Sequence, residues 1–234
     1  MTDQAVVVGA SSQIGAAIAE ELACHVPALQ LWGRDRPRLA TAAAACERAG
    51  AAAVTSVVEV TDHSAMRSAL ESIRRQGPLK VAVWVAGIFD WGTADTADPD
   101  AWRNLIEVNL TAPSVFTTLT LSSLLAAAPS SLIFIGSNAG HTAFPHNAAY
   151  VASKHGLTGL ARATFLDVRD RDVKVSLISP GLVAAGVGLL SPAGQERPGE
   201  LLSPADVAAA VRFVVTSSTT CCPTEIHLRP LHST

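Results

Sequence analysis

The sequence has little of what marks a protein of nucleic acid or of membrane surfaces. Charged residues make up only 16% of the 234, the formal net charge is −3, and no run of lysine or arginine appears. Neither a polyanion nor an anionic bilayer is therefore an expected partner. No continuous apolar run approaches the ~20 residues needed to span a bilayer. The start, MTDQAVVVGASS, enters a strand without a basic n-region or a cleavable signal, so a cytoplasmic protein is expected. Cysteine is scarce: Cys24, Cys46, Cys221 and Cys222 form no CxxC pair and no Cys/His metal spacing, and the adjacent Cys221-Cys222 is a poor staple. Buried thiols in a reducing compartment are expected, and no metal site. What is abundant is apolar: 49% hydrophobic residues and a mean hydropathy of +0.31, enough for one domain over residues 1–234 with a large core.

Short apolar strands alternate with longer amphipathic stretches. Strands are expected at Ala5–Val8, Leu29–Trp32, Val54–Val58, Val81–Val85, Leu132–Ile135, Val173–Ile178 and Thr224–Leu228. Between them, Ile14, Ile18 and Leu22 mark one helix face, an Ala-rich helix runs to about Ala49, and Asp62 caps a helix carrying Met66, Leu70 and Ile73. Asp98-Pro99 opens a long helical region to about Ala127, with a bend expected at Pro113. A helix from Tyr150 to about Asp170 follows, and Ser203-Pro204-Ala205-Asp206 starts the last. Strands and helices in alternation imply right-handed crossovers and a parallel sheet covered on both faces, a doubly wound α/β domain. In such a sheet ligands sit at the carboxyl ends of the strands. Gly9–Gly15, Gly33-Arg34, Ala86-Gly87, Ser137 and Pro180-Gly181 all fall there.

Ser131 to Lys154 carries the chemistry. Ser137 stands where the fifth strand ends, and Tyr150 and Lys154, four residues apart, share one helix face. A free phenol titrates near ~10, and a fixed ammonium beside it favours phenolate. With Ser137 on the same oxygen, this is a proton-transfer site for a carbonyl or an alcohol. Gly9-Ala10-Ser11-Ser12-Gln13-Ile14-Gly15 turns the first strand into a helix, where small residues admit a pyrophosphate to exposed N–H groups. After Gly33 the first charge is Arg34, with Ser11 and Ser12 as neutral donors nearby. A cation there suits a ribose 2′-phosphate, so NADP(H) is preferred, while Asp35 keeps NAD(H) open.

With these pieces in this order, the chain resembles the short-chain dehydrogenase/reductase family along nearly its whole length, and most closely its NADP-dependent carbonyl reductases. The match rests on Gly9-(x5)-Gly15, Asp62, Ala86-Gly87, Asn109, Ser137, Tyr150-(x3)-Lys154 and Pro180-Gly181. The resemblance implies a Rossmann-type sheet of about seven strands in the order 3-2-1-4-5-6-7. It implies Tyr150 as acid/base, Lys154 lowering its pKa and holding the nicotinamide ribose, Ser137 polarising the carbonyl, and Asn109 holding a relay water. Glu59 or Val60, with Asp62, would border the adenine, and Pro180, Gly181 and Val183 would line the nicotinamide end. Three positions depart from the family: Gln13 replaces the middle glycine, Trp84-Val85 replaces two asparagines before Ala86-Gly87, and Ala185 replaces a threonine. The lost asparagines are expected to weaken the cofactor loop.

On the substrate side, residues 184–203 hold Gly and Pro between strand and helix and read as a mobile lid. Phe89, Trp91, Asn138, Phe144 and His146, with Ile88 and His141, lie on loops at the same sheet edge, and an aromatic-lined pocket is expected. The function implied is NADP(H)-dependent hydride transfer between the nicotinamide and a small carbonyl or alcohol, chiefly as a ketoreductase. Alternatives are an imine reductase, a redox epimerase, or an NADP-binding sensor without turnover. A homodimer or homotetramer is expected through the Pro99–Ala127 and Tyr150–Asp170 helices.

Overall fold

The computed structural model describes residues 2–232; Met1, Ser233 and Thr234, the ends of the expected domain, lie outside them. Seven strands form one parallel sheet: β1 Gln4–Val8, β2 Ala28–Gly33, β3 Ala52–Val57, β4 Leu79–Trp84, β5 Ser130–Ile135, β6 Val173–Pro180 and β7 Glu225–Leu228. Their order is β3-β2-β1-β4-β5-β6-β7, as the resemblance implied. β1, β4, β5 and β6 lie inside the sheet and are almost wholly buried, which is why they read as unbroken apolar runs. The edge strand β3 instead leaves Val54 and Val57 exposed.

Helices cover both faces. One core layer packs α1 (Gln13–Ala23), α2 (Arg36–Arg48) and α9 (Pro204–Thr216) on the sheet through Ile18, Leu22, Leu39, Val207 and Val211. The other packs α3 (His63–Gln76), α5 (Ala112–Ala126) and α6 (Ala148–Val168) through Met66, Leu70, Phe116, Leu124 and Leu157, with α4 (Pro99–Ile106) lying against α6. Here Phe116 meets Trp32 edge-on at 6.1 Å and Trp84 at 5.2 Å between ring centroids. Each of these aromatics stabilises the fold by about 2–3 kcal/mol through burial. Three helices start as the sequence predicted, with Asp62 and Asp98 accepting backbone N–H bonds as N-caps and Ser203 forming a capping box with Asp206; Ser12 and Asp35 are N-caps that it did not assign.

The long helical region departs from its expected form. It is interrupted by a π-turn at Glu107–Thr111, just before the expected bend at Pro113. The proline is still the cause, because its ring has no N–H to give and clashes with the carbonyl four residues back, that of Asn109. Pro99–Ala126 is long and apolar enough, by length and mean composition alone, to cross a membrane, although polar residues break it into short apolar runs. Half of its most apolar window is buried, and Leu105, Val108, Ala112, Phe116 and Leu124 are core residues of the sheet layer. The expectation for the thiols is also corrected. Cys46 alone is buried; Cys24 and Cys221 are exposed and Cys222 is half-buried, because the last two precede an edge strand.

Candidate active site

Three of the four expected proton-transfer residues are placed by the end of β5 and the start of α6. Ser137 leaves β5 extended and its Oγ accepts the Ala139 N–H at 3.1 Å, which folds Asn138–Gly140 into a short turn. Tyr150 and Lys154 project from the first turns of α6. Burial raises the Tyr150 phenol above its ordinary value, and Ser137 draws it down by less. Lys154 is buried, and burial lowers its ammonium to about 8. Its Nζ lies 5.7 Å from the Tyr150 ring centroid and donates to the Ile135 carbonyl at 3.3 Å. The depressed phenol expected from the Tyr–Lys spacing is therefore reversed in the protein alone: removing both groups from water favours the uncharged form of each.

Asn109 sits in the π-turn, buried, and does not bond its own backbone. Its Oδ1 accepts the Ile88 N–H and its Nδ2 donates to the Ile88 carbonyl, both at 2.8 Å. The same Nδ2 donates to Ser153 Oγ at 3.2 Å, and Ser153 donates to the Tyr150 carbonyl at 2.7 Å. The widened turn thus couples the segment after β4 to the helix that carries Tyr150. A methyl group on Gly87 would lie 3.2 Å from Asn109 Oδ1 and 3.7 Å from Lys154 Nζ. Gly87 therefore borders both.

The turn after β1 has the space a pyrophosphate needs. Gly9 has φ +94°, and a side chain there would strike the Ala86 N at 2.7 Å. A side chain on Gly15 would strike the Gly9 carbonyl at 2.2 Å. Ser12 Oγ accepts the Gly15 N–H at 3.0 Å, and Ser11 lies against Gly33, leaving no room for a larger residue at that strand end. Ile14 packs into the core behind the turn. These features suit a dinucleotide phosphate at a helix N-terminus. Farther along the edge, Arg34 forms an exposed ion pair with Glu59 at 3.5 Å. Asp35 is occupied as the N-cap of α2, accepting the Arg38 N–H at 3.0 Å, and Asp62 caps α3 in the same way, so neither acid is free. Val60 is buried beside them.

The departures have partners. Trp84 is fully buried and its indole N–H donates to the Ala86 carbonyl at 2.8 Å, so the cofactor loop keeps a polar support where the asparagines were expected to be missed. Gln13 accepts the Gly186 N–H on Oε1 at 3.1 Å, a contact the sequence did not suggest. Ala185 is buried in the core, like Val183. Residues 184–203 hold two short helices, α7 (Val187–Leu190) and α8 (Pro192–Glu196), and Val183 bridges Leu202 across their base.

Of the expected substrate residues, Phe89 meets Tyr150 edge-on at 4.9 Å and Trp91 stacks on His146 at 5.6 Å. His146 has φ +62°, a strained conformation of the kind held at functional sites. Phe144 is exposed beside them without a described ring contact. Asn138 is elsewhere: its Nδ2 lies 3.0 Å from where a Gly181 side chain would be, beside Pro180 at the end of β6. Its Oδ1 is buried without a partner. A second cluster, unforeseen from the sequence, joins His141 to Glu225 and His227 of β7.

The family model of the short chain dehydrogenases matches residues 3–192. An uncharacterized oxidoreductase of Staphylococcus saprophyticus is 30% identical, covering 97% of each chain. The crystal structure of a metagenomic short-chain oxidoreductase in complex with NADP superposes with a TM-score of 0.85 at 30% identity, covering 99% of this chain and 98% of that one. An alcohol dehydrogenase of the archaeon Thermococcus sibiricus, complexed with 5-hydroxy-NADP, gives a TM-score of 0.90 at 25% identity, covering 100% and 99%.

Proposed function

Since the chain belongs to the short-chain dehydrogenase/reductase family of oxidoreductases, we propose that it is an NADPH-dependent reductase of ketones, with Tyr150 as the proton donor. The observation that carries this reading is the convergence of Ser137, Tyr150 and Lys154 beside Gly87, at the sheet edge where Gly9 and Gly15 leave room for a pyrophosphate. Burial keeps the Tyr150 phenol in its protonated form, the form from which a proton is given in reduction. When bound, the nicotinamide supplies a hydride to the carbonyl carbon. Tyr150 hands its proton to the carbonyl oxygen, Ser137 donates to the same oxygen, and Lys154 offers its ammonium to the phenolate left behind. Asn109 positions this set through Ser153 and Ile88 and borders the path by which water would return the proton.

NADP is favoured over NAD by Arg34, by Ser11 against Gly33, and by the engagement of Asp35 as a cap. The Arg34 guanidinium, paired with Glu59, would hold a 2′-phosphate. Phe89, Trp91 and Phe144, with exposed Val187 and Leu190 of the 184–203 lid, favour a carbonyl compound with an apolar or aromatic substituent. The same reading assembles copies through the Pro99–Ala126 and α6 surfaces. The test is titration with NADPH and NADH of wild type and Arg34→Ala, followed by ketone-dependent NADPH oxidation. NADPH preference should collapse in Arg34→Ala, and Tyr150→Phe should bind NADPH yet lose about 10²–10⁴-fold in turnover. Turnover equal in wild type and Tyr150→Phe would leave a nucleotide-binding protein without this chemistry.

A further inference from the structure

We propose a transition-metal site, of the kind that takes zinc, built by His141, Glu225 and His227 on the outer edge of the sheet. One ligand atom from each of the three lies within 4.8 Å of the others. Glu225 and His227 are two apart on β7 and point to the same side, with 3.7 Å between Glu225 Oε2 and His227 Nε2. His141 comes from the segment after β5, its ring 4.4 Å from that of His227 between centroids. Two imidazoles and one carboxylate are a nitrogen-rich set of intermediate softness. It suits zinc, cobalt, nickel or copper and not magnesium or calcium, which take oxygen ligands. Zinc bonds of about 2.0–2.1 Å would draw tetrahedral ligands to about 3.4 Å apart. The required closure is about 1 Å, and His227, which is exposed, supplies it by rotation.

Supporting contacts of the kind that orient metal ligands are already present. Ser179 Oγ lies 3.0 Å from His141 Nε2, and Arg162 of α6 holds Glu225 through Nε at 2.5 Å and Nη2 at 3.1 Å. The Arg162 charge opposes a dication, so the site binds less tightly than a closed structural zinc site. None of these residues takes part in the proton transfer proposed above. A bound ion would tie the Ser137-bearing segment to the short edge strand β7.

The test uses tag-free protein, treated with chelator and titrated with CoCl2 while visible absorption is followed, with ZnCl2 calorimetry alongside. One equivalent should bind per chain, and saturating zinc at about 100 times Kd should raise Tm by about 5–10 °C. His227→Ala should weaken binding at least tenfold and remove the Tm rise; being exposed, His227 can be removed without loss of folding. His141→Ala should do the same. No saturable uptake, or uptake unchanged in His227→Ala, would overturn the site. So would near-ultraviolet cobalt–thiolate absorption, which would place the ion on Cys221 and Cys222.

Discussion

Removing the Asn109 side chain should cost the fold more than any other single polar deletion near the site. Asn109→Ala strips the Ile88 N–H and carbonyl of their 2.8 Å partners and takes the Ser153 hydroxyl's 3.2 Å donor away. Asn109 is 1% exposed, so water reaches the orphaned groups poorly. Each unsatisfied backbone group costs about 1–3 kcal/mol, and part of that is recovered where water enters the space left by the amide. A net loss of about 2–4 kcal/mol follows, which for a chain of this length lowers Tm by about 5–15 °C. Asn109→Asp keeps the acceptor for the Ile88 N–H but faces the Ile88 carbonyl with an oxygen in place of a donor. It should melt between wild type and Asn109→Ala. The assay is scanning calorimetry of the three proteins at neutral pH, with circular dichroism to establish that each is folded. An Asn109→Ala protein that melts within about 1 °C of wild type would refute the view that this π-turn residue clamps the segment after β4 to α6.

Three other outcomes are expected. Gln13→Ala loses the bond to the Gly186 N–H, worth about 0.5–1.5 kcal/mol, so limited proteolysis within residues 184–203 should quicken about 2–10-fold; an unchanged rate would sink the latch. Lys154 should make the free protein pH-sensitive: its folded pKa of about 8 lies below the ordinary lysine value of 10.5, so the unfolded chain binds the extra proton between those values and this contribution rises with pH across that window. Lys154→Met should therefore be the more stable protein below pH ~8, with the difference shrinking towards pH ~10.5 in urea titrations. A pH-independent difference would refute this; Cys46 and Tyr150, which push the other way at alkaline pH, are common to both proteins. Tyr150 is the only tyrosine of the sequence, so phenolate absorbance reports it alone. Its midpoint should lie above 10 and move higher in Ser137→Ala, whereas a midpoint below 10 would contradict a phenol dominated by burial.

The sheet was legible because parallel strands buried on both faces have no polar side to interrupt them, as in Ala5–Val8 and Leu132–Ile135. Helix starts were legible because caps are local: Asp62 and Ser203 needed only their next three residues. What escaped the sequence is what depends on distant partners. His141 meets β7 only through the strand order, 84 residues on from its own segment at Glu225. The sign of the Tyr150 shift escaped for the same reason: the i,i+4 spacing shows that a lysine is near, but not that the phenol itself is buried in the fold.

The family departures follow the same logic and bear on how the site works. Read as a string, Gln13, Trp84 and Ala185 each remove something. In the fold, the Trp84 indole supports the Ala86 carbonyl from within the core, where an amide at that strand end would have done so from the cleft. Gln13 spends its side chain on Gly186, joining the phosphate-binding turn to the segment proposed as the lid. Ala185, buried beside Val183, offers no hydroxyl where the family has one. Ala185→Thr should therefore crowd a buried site and lower Tm in a thermal melt, and an unchanged Tm would show that the site has room for the threonine.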